Sequence, residues 1–183
     1  MDKHIEIVLD ELNETLRCIN DNDLLNLVNC LNKAEYVIVV GVGRVLISLK
    51  AWVKRFNHLG IPMNYLGSET ELPVSKNGLV LIASSSGESL VPLSIAKIAK
   101  KMGIKIAYIG CTPDSHISKL SSLKVILKGR TKKARDEEYK SKQPMSTLFE
   151  QQLYLLGDII ALKIMELRDM SELDIKVHHA NLE

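Results

Sequence analysis

Five consecutive apolar residues, 79–83, lead directly into a segment rich in serine. The run Leu-Val-Leu-Ile-Ala shows no alternation of polar and apolar residues, which is typical of a strand buried on both faces of a parallel sheet. After the segment Ser-Ser-Ser-Gly-Glu-Ser at 84–89, apolar residues recur at helical spacing over 90–102. The serines are therefore expected at the point where a buried strand ends and a helix begins.

The same alternation of strands and helices continues along the chain. Apolar spacing predicts helices over 2–19, 23–31, 46–59, 90–102, 116–120, 146–168 and 171–177, and strands over 36–40, 61–66, 79–83, 104–109 and 125–127. Repeated strand–helix units predict a doubly wound parallel sheet that binds ligands at the carboxyl ends of its strands. The length of 183 residues predicts one domain, with N-terminal helices over 1–33 and an α/β core with C-terminal helices over 34–183.

The serine segment has the character of a phosphate site. Unpaired backbone N–H groups and the positive end of the helix dipole can hold an anion at a helix N-terminus. Hydroxyls at Ser84, Ser86 and Ser89 would add neutral donors around it. In the simpler alternative, one serine caps the helix and the others are ordinary loop residues.

A second turn, Gly41-Val42-Gly43-Arg44, follows the first predicted strand. It is not a dinucleotide-binding fingerprint, because the third glycine that such a motif requires is replaced by Leu46. A tight turn with close backbone approach is the safer interpretation. Arg44 is then placed to face a phosphate or a carboxylate, with a solvated or structurally paired arginine as the alternative.

Composition excludes several classes of function. The net charge is only +2 and aromatic residues make up 4% of the chain, so neither a general nucleic-acid surface nor a base-stacking platform is expected. The charged start and the lack of a long apolar run predict a cytoplasmic protein without a membrane span. Three cysteines at 18, 30 and 111 are expected to be buried, reduced thiols. The basic run at 128–135 is interpreted as a solvated loop.

Four segments in order resemble a known family. The Gly-Val-Gly-Arg turn and the serine segment resemble the sugar isomerase (SIS) domain. Residues 143–150, Gln-Pro-Met-Ser-Thr-Leu-Phe-Glu, are similar to the Pro-Met-Gly-Thr-x-Phe-Glu segment of 6-phospho-3-hexuloisomerases, and the terminal His-Ala-Asn-Leu-Glu at 179–183 is similar to their C-terminal signature. The resemblance spans essentially the whole chain, including a helical N-terminal extension.

The resemblance implies a flavodoxin-like, five-stranded parallel sheet flanked by helices and assembled as a homotetramer with shared active sites. It also implies reversible conversion of 3-hexulose 6-phosphate to fructose 6-phosphate through an enediol, with a small sugar phosphate as ligand and neither a redox cofactor nor a metal. In this interpretation Glu150 is the catalytic base, and His179 or its neighbour His178 handles protons on oxygen. The implied phosphate contacts are Ser84, Ser86 and Ser89, and the other implied substrate contacts are Gly43, Arg44, Ser85 and Gly87.

Some alternatives stay open at this stage. Val45 and Leu46 replace the Ser-Gly of the family, which removes a hydroxyl that normally contacts the sugar phosphate. Glu150 can also be explained as a carboxylate favoured by the helix dipole, and the terminal histidines as a mobile tail. Rival functions are the isomerisation of another phosphosugar, such as a pentose or amino-sugar phosphate, and a non-catalytic phosphosugar-binding regulatory module. The N-terminal helix and the helix over 146–168 are expected to pack on other subunits, which would let His179 act in the site of a neighbouring chain.

Overall fold

The computed structural model of the protein describes residues 2–182. The helices are α1 (Lys3–Leu16), α2 (Asp21–Lys33), α3 (Arg44–His58), α4 (Leu90–Met102), α5 (His116–Leu120), α6 (Thr147–Leu167) and α7 (Glu172–Lys176). The strands are β1 (Val37–Val40), β2 (Met63–Tyr65), β3 (Leu79–Ala83), β4 (Lys105–Gly110) and β5 (Leu123–Ile126). Each helix and strand lies where the apolar spacing predicts it, within a few residues at its ends.

The five strands form one parallel sheet in the order β2-β1-β3-β4-β5. This is the flavodoxin-like order, so the predicted fold class is confirmed. From β1 the chain first moves outward to β2 and then crosses back to β3, so the direction of winding reverses between β1 and β3. In open α/β sheets this reversal leaves a crevice at the carboxyl ends of the two strands, where ligands bind.

A hydrophobic core lies on each face of the sheet. Alternate residues of β1 point to opposite cores: Val37 and Val39 to one, Ile38 and Val40 to the other. The larger core contains α2, α3 and α6, and the smaller one contains α4 and α5. Helices α3 and α6 approach closely because Gly157 leaves room for Trp52 (a Cβ at Gly157 would collide with the indole), and the indole N–H donates to the carbonyl oxygen of Leu153 at 2.7 Å.

Two expectations need correction. Helix α6 is largely buried inside its own chain, against α1, α2 and α3, and therefore offers other subunits less apolar surface than expected. The cysteines are all unbridged, but Cys18 is exposed and Cys30 and Cys111 are only half-buried, so the prediction of three buried thiols was wrong. Within residues 2–182, no helix combines the length and the apolar character needed to cross a membrane.

Candidate active site

The serine loop, residues 84–89, connects β3 to α4 and is held by its own hydroxyls. The backbone N–H of Gly87 donates to Ser84 Oγ at 3.2 Å, and the hydroxyls of Ser84 and Ser89 lie 3.1 Å apart. Ser89 occupies the N-cap position of α4, yet its side chain makes no capping hydrogen bond to the helix. The simple capping alternative therefore does not describe Ser89, and the first turn of α4 keeps backbone donors available for an anion.

Glycine at position 87 lets the serine loop pack tightly. Its φ of +63° is in the left-handed region, and a Cβ there would collide with the side chain of Ser115. Behind the loop, the buried hydroxyl of Tyr108 donates to the carbonyl oxygen of Ser84 at 3.0 Å. The backbone N–H of Cys111 donates to the carbonyl oxygen of Ser85 at 2.9 Å. Strand β4 thus fixes the backbone of the loop, while Ser85 and Ser86 remain half-buried at the surface of the site.

The Gly-Val-Gly-Arg turn joins β1 to α3 at the neighbouring strand end. Gly43, at the N-cap of α3, has φ +58° and ψ −135°, a conformation that only glycine adopts readily. Arg44 is the first residue of the helix. Its guanidinium Nε donates to the carboxylate Oε2 of Glu150, a contact that fits both a carboxylate partner in the site and the alternative of a structurally paired arginine.

Glu150 lies in the first turn of α6 and is 8% exposed. Its second carboxylate oxygen, Oε1, accepts a hydrogen bond from Ser146 Oγ at 3.0 Å. Its backbone carbonyl accepts a hydrogen bond from Ser48 Oγ on α3 at 2.9 Å. Glu150 therefore lies where the helix dipole favours a carboxylate, as its structural interpretation requires. Its side chain also contacts Arg44. Two contacts, from Arg44 and Ser146, fix the orientation of the carboxylate, and the contact from Ser48 holds the backbone behind it.

These segments meet in one cleft of about 940 Å³ at the carboxyl edge of β1 and β3. The cleft brings together most of the residues named from the sequence: Gly43, Arg44, Ser84, Ser85, Ser86, Ser89 and Glu150. Gly87, although part of the same loop, is buried and does not line the cleft. Segment 144–147 forms the opposite wall, and Val45 lines the cleft at the position where the family has a serine.

Two lysines in the cleft were missed by the sequence analysis. Lys132 and Lys133 are exposed, as the interpretation of the basic run as a solvated loop expects, and both also line the cleft. Glu138 fixes the loop by accepting hydrogen bonds from the backbone N–H of Thr131 at 2.7 Å and from its hydroxyl at 2.6 Å. No carboxylate in the described part of the chain lies within ion-pair distance of either ammonium group. The lysines thus present positive charge to the site.

Glu88 extends the serine loop toward α5. Its carboxylate accepts hydrogen bonds from the backbone N–H of His116 at 2.9 Å and from the ring Nδ1 of His116 at 2.7 Å. Partial burial raises the pKa of the Glu88 carboxyl, but the hydrogen bonds and charge of His116, together with the charge of Lys133, outweigh it and leave the pKa below its ordinary value. Glu88 is therefore an ionised tether for the loop, and Lys133 is close enough to influence it.

His179 lies far from the cleft of its own chain. Its ring is 4.9 Å from that of His58, measured between centroids, and His58 is the last residue of α3. His178 is also near this end of α3, beside Gly60. Arg44 and Glu150 meet at the first residue of the same helix, about 21 Å away at 1.5 Å per residue. The structure therefore does not bring the two predicted catalytic residues together within one chain.

Candidate metal ligands are not clustered in the described residues: no group of three or more His, Cys, Asp or Glu side chains is arranged to hold an ion there. The donors that face the cleft are hydroxyls, backbone amides, an arginine and two lysines. Such a donor set fits an anionic ligand.

Comparisons with known proteins cover the whole chain, although no family model matches it. The chain is 30% identical over 181 residues to a 3-hexulose-6-phosphate isomerase of Bacillus subtilis, covering 99% of this chain and 98% of the relative. It is 27% identical to the enzyme of the same name from Mycobacterium gastri, with coverages of 98% and 90%.

A solved structure from Methanococcus jannaschii, described as a hypothetical protein with an inferred molecular function of 3-hexulose-6-phosphate isomerase, superimposes with a TM-score of 0.84 at 27% identity. The match covers 99% of both chains, so the helical extension, the sheet and the tail all have counterparts. With 30% identity to a curated relative over nearly its full length, this protein belongs to the sugar-phosphate isomerase (SIS) family, in the group that contains the 3-hexulose-6-phosphate isomerases.

Proposed function

We propose that this phosphosugar isomerase interconverts 3-hexulose 6-phosphate and fructose 6-phosphate. The observation that carries the proposal is the placement of a buried, oriented carboxylate opposite a loop of hydroxyls in one cleft. The reaction moves a carbonyl from C3 to C2 of the sugar. It requires an anchor for the phosphate, a base for a carbon-bound proton and donors for the two oxygens.

The serine loop is the proposed phosphate anchor. Ser86 Oγ is half-buried and accepts only a long hydrogen bond, 3.3 Å, from the backbone N–H of Glu88, so its own proton is available to a phosphate oxygen. The hydroxyls of Ser84 and Ser89 are within hydrogen-bond distance of each other. Ser89 also begins α4, whose first backbone N–H groups are the further proposed donors to the phosphate. Lys133 supplies a cation beside this loop. A phosphate dianion binds more strongly to a site with a cation than to neutral donors alone.

Glu150 is the proposed base. One carboxylate oxygen removes the proton from C2 of the 3-hexulose, and the electron pair of that C–H bond forms the C2=C3 double bond while O3 gains a proton. Glu150 then returns its proton to C3 of the resulting enediol. Loss of the O2 proton leaves the carbonyl at C2. Burial and two side-chain contacts keep the carboxylate in one orientation, as proton transfer between neighbouring carbons requires.

Arg44 has two roles in this proposal. Its Nε contact holds Glu150, and its side chain is 67% exposed toward the cleft, so the remaining N–H groups can reach substrate oxygens. Negative charge builds on O3 as the C2 proton leaves. A guanidinium next to the carboxylate stabilises that charge without having to move.

The protons on oxygen are assigned to His179 of a neighbouring copy. Within one chain this histidine is at the far end of α3, so it reaches a cleft only if the tail of one subunit lies against another. A homotetramer with shared sites provides this arrangement. This assembly is part of the proposal, as are the roles of the individual residues.

A coupled assay tests the proposed reaction. Purified protein is incubated with 3-hexulose 6-phosphate, and fructose 6-phosphate is followed through phosphoglucose isomerase and glucose-6-phosphate dehydrogenase. Steady turnover supports the proposal. Binding of the sugar phosphate with no turnover by the intact oligomer would instead favour a regulatory binding module.

Val45 favours a second candidate, an isomerase of a different phosphosugar. The family has a serine here, and in this chain an apolar side chain that is 8% exposed lines the cleft. The same protein should therefore be assayed with pentose 5-phosphates and amino-hexose 6-phosphates. A higher kcat/KM for one of these than for 3-hexulose 6-phosphate would shift the assignment to that sugar.

A further inference from the structure

A buried carboxylate on the N-terminal helix contacts the segment that precedes the cleft wall. Glu11 on α1 is 7% exposed. It accepts three hydrogen bonds from residues 141–143: from Ser141 Oγ at 2.7 Å, from the backbone N–H of Lys142 at 2.6 Å and from Gln143 Nε2 at 3.1 Å. No lysine or arginine among residues 2–182 pairs with it. Hydrogen bonds from this one segment therefore stabilise the buried carboxylate.

The segment runs directly into an unfavourable backbone conformation. Met145, in the cleft wall, has φ +54°, in the left-handed region that residues with a side chain rarely adopt. Such a conformation persists only where the structure on both sides holds it. On the C-terminal side, the backbone N–H of Thr147 donates to the carbonyl oxygen of Pro144 at 3.1 Å, and Ser146 Oγ donates to Glu150 at 3.0 Å.

On the N-terminal side, the contacts of Glu11 hold residues 141–143. We infer that Glu11 is a positioning residue for the isomerase site, because its contacts hold the wall that carries Met145 and Ser146. Ser146 in turn orients the carboxylate of Glu150. The inference rests on the proposed function. It gives the N-terminal helical extension a role in catalysis, although Glu11 itself does not line the cleft.

Glu11→Ala and Glu11→Gln test the inference. Alanine favours the helix and removes all three contacts, whereas glutamine keeps the shape and one full acceptor oxygen. We expect kcat to fall about 10- to 100-fold in Glu11→Ala and less in Glu11→Gln, because small misplacements of reacting groups are costly. Binding of inorganic phosphate, measured by calorimetry, should stay within about twofold, since the serine loop is held by β4 and α5 instead.

Glu14→Gln is the matched control. Glu14 lies one turn along α1 and is exposed, and its carboxylate accepts one hydrogen bond, from the hydroxyl of Tyr139 at 2.8 Å. It should leave kcat near the wild-type value. Unchanged kcat in Glu11→Ala, or parallel losses of kcat and phosphate binding, would overturn the inference.

Two further measurements separate the inference from the proposed function. Ser141→Ala removes one donor from the segment without altering α1, so it should reproduce the loss of kcat in a milder form. Limited trypsin digestion after Lys142 should be faster in Glu11→Ala than in wild type, whether or not the protein is an isomerase. A wild-type protein without turnover would refute the proposed function, whereas unchanged digestion would refute the anchoring by Glu11.

Discussion

The two ends of helix α3 differ in how they hold the residues proposed to move protons. At the first residue, Arg44 pairs with Glu150, which is also bonded to Ser146 and is 8% exposed. At the last residue, His58 contacts the ring of His179, which belongs to an exposed tail. About 21 Å of helix separates the two ends.

This difference indicates how a complete site would be built. The Arg44 end is organised by contacts inside one chain, so its geometry is fixed before any partner binds. The ring of His179 packs against His58 at the opposite end of α3, so within one chain it does not reach the Arg44 end. We therefore expect the phosphate anchor and the base to come from one subunit, and the tail histidine from another.

Removing the proposed base at the Arg44 end should have the largest effect. Glu150→Gln keeps the size of the side chain and its contact with Ser146 but cannot accept a carbon-bound proton. Turnover should fall by about 10²- to 10⁴-fold with little change in the binding of fructose 6-phosphate. Glu166→Gln, an exposed change on the same helix, is the control. Turnover equal to wild type in Glu150→Gln would return Glu150 to a purely structural role.

Removing the histidine at the other end should cost less, about 10²-fold in turnover, at the lower limit for acid–base groups.

The sharper experiment mixes His179→Ala with Glu150→Gln and refolds them together. About a quarter of the sites would then combine an intact Glu150 with an intact His179 from a neighbour, so activity should recover well above that of either variant alone. Absence of recovery, with subunit exchange shown by mass spectrometry, would argue against a histidine shared between subunits.

The fold followed from the sequence because its signals are local. The unbroken apolar run at 79–83 and the helical spacing at 90–102 are each decided by neighbouring residues, and both elements have the predicted limits. The strand order came from the resemblance to the SIS domain, because alternating strands and helices fit more than one doubly wound order. The exposure of Cys18 was mispredicted, because it depends on how helices pack and not on spacing.

The site was only partly predictable, for the same reason. The serine loop and the Gly-Val-Gly-Arg turn are short motifs at strand ends, so they could be located directly. Lys133 was not found, because a basic run next to three acidic residues has the pattern of a solvated loop. Its place in the cleft depends on the contact between Thr131 and Glu138, seven residues apart. The contact of Glu11 with residues 141–143 gave no local signal at all.

Changing the serine loop tests the anchor that belongs to the Arg44 end. Ser86→Ala removes one neutral donor without disturbing the contact between Ser84 and Ser89. A hydrogen bond to a charged group is worth about 1.5–3 kcal/mol, so the dissociation constant for fructose 6-phosphate should rise about 10- to 150-fold. Ser94→Ala on the exposed face of α4 is the matched control. An unchanged titration curve would show that the phosphate is held elsewhere.

The smallest expected effect concerns the positive charge of Lys133, which lines the cleft from the loop after β5. Lys133→Met keeps the length of the side chain and removes the cation beside Glu88. Exposed charge pairs contribute about 0.2–1 kcal/mol, so the dissociation constant for the sugar phosphate should rise by a factor between about 1.4 and 5 at low salt.

Salt and a second titration make this prediction specific to Lys133. The difference from wild type should shrink at high ionic strength, because mobile ions screen an exposed lysine. Lys101→Met, at the far end of α4, should show no such difference. Since the charge of Lys133 lowers the pKa of Glu88, that pKa should rise in Lys133→Met, which NMR can follow on the side-chain carboxyl carbon. A raised pKa with unchanged binding would mean that Lys133 acts on the loop and not on the phosphate.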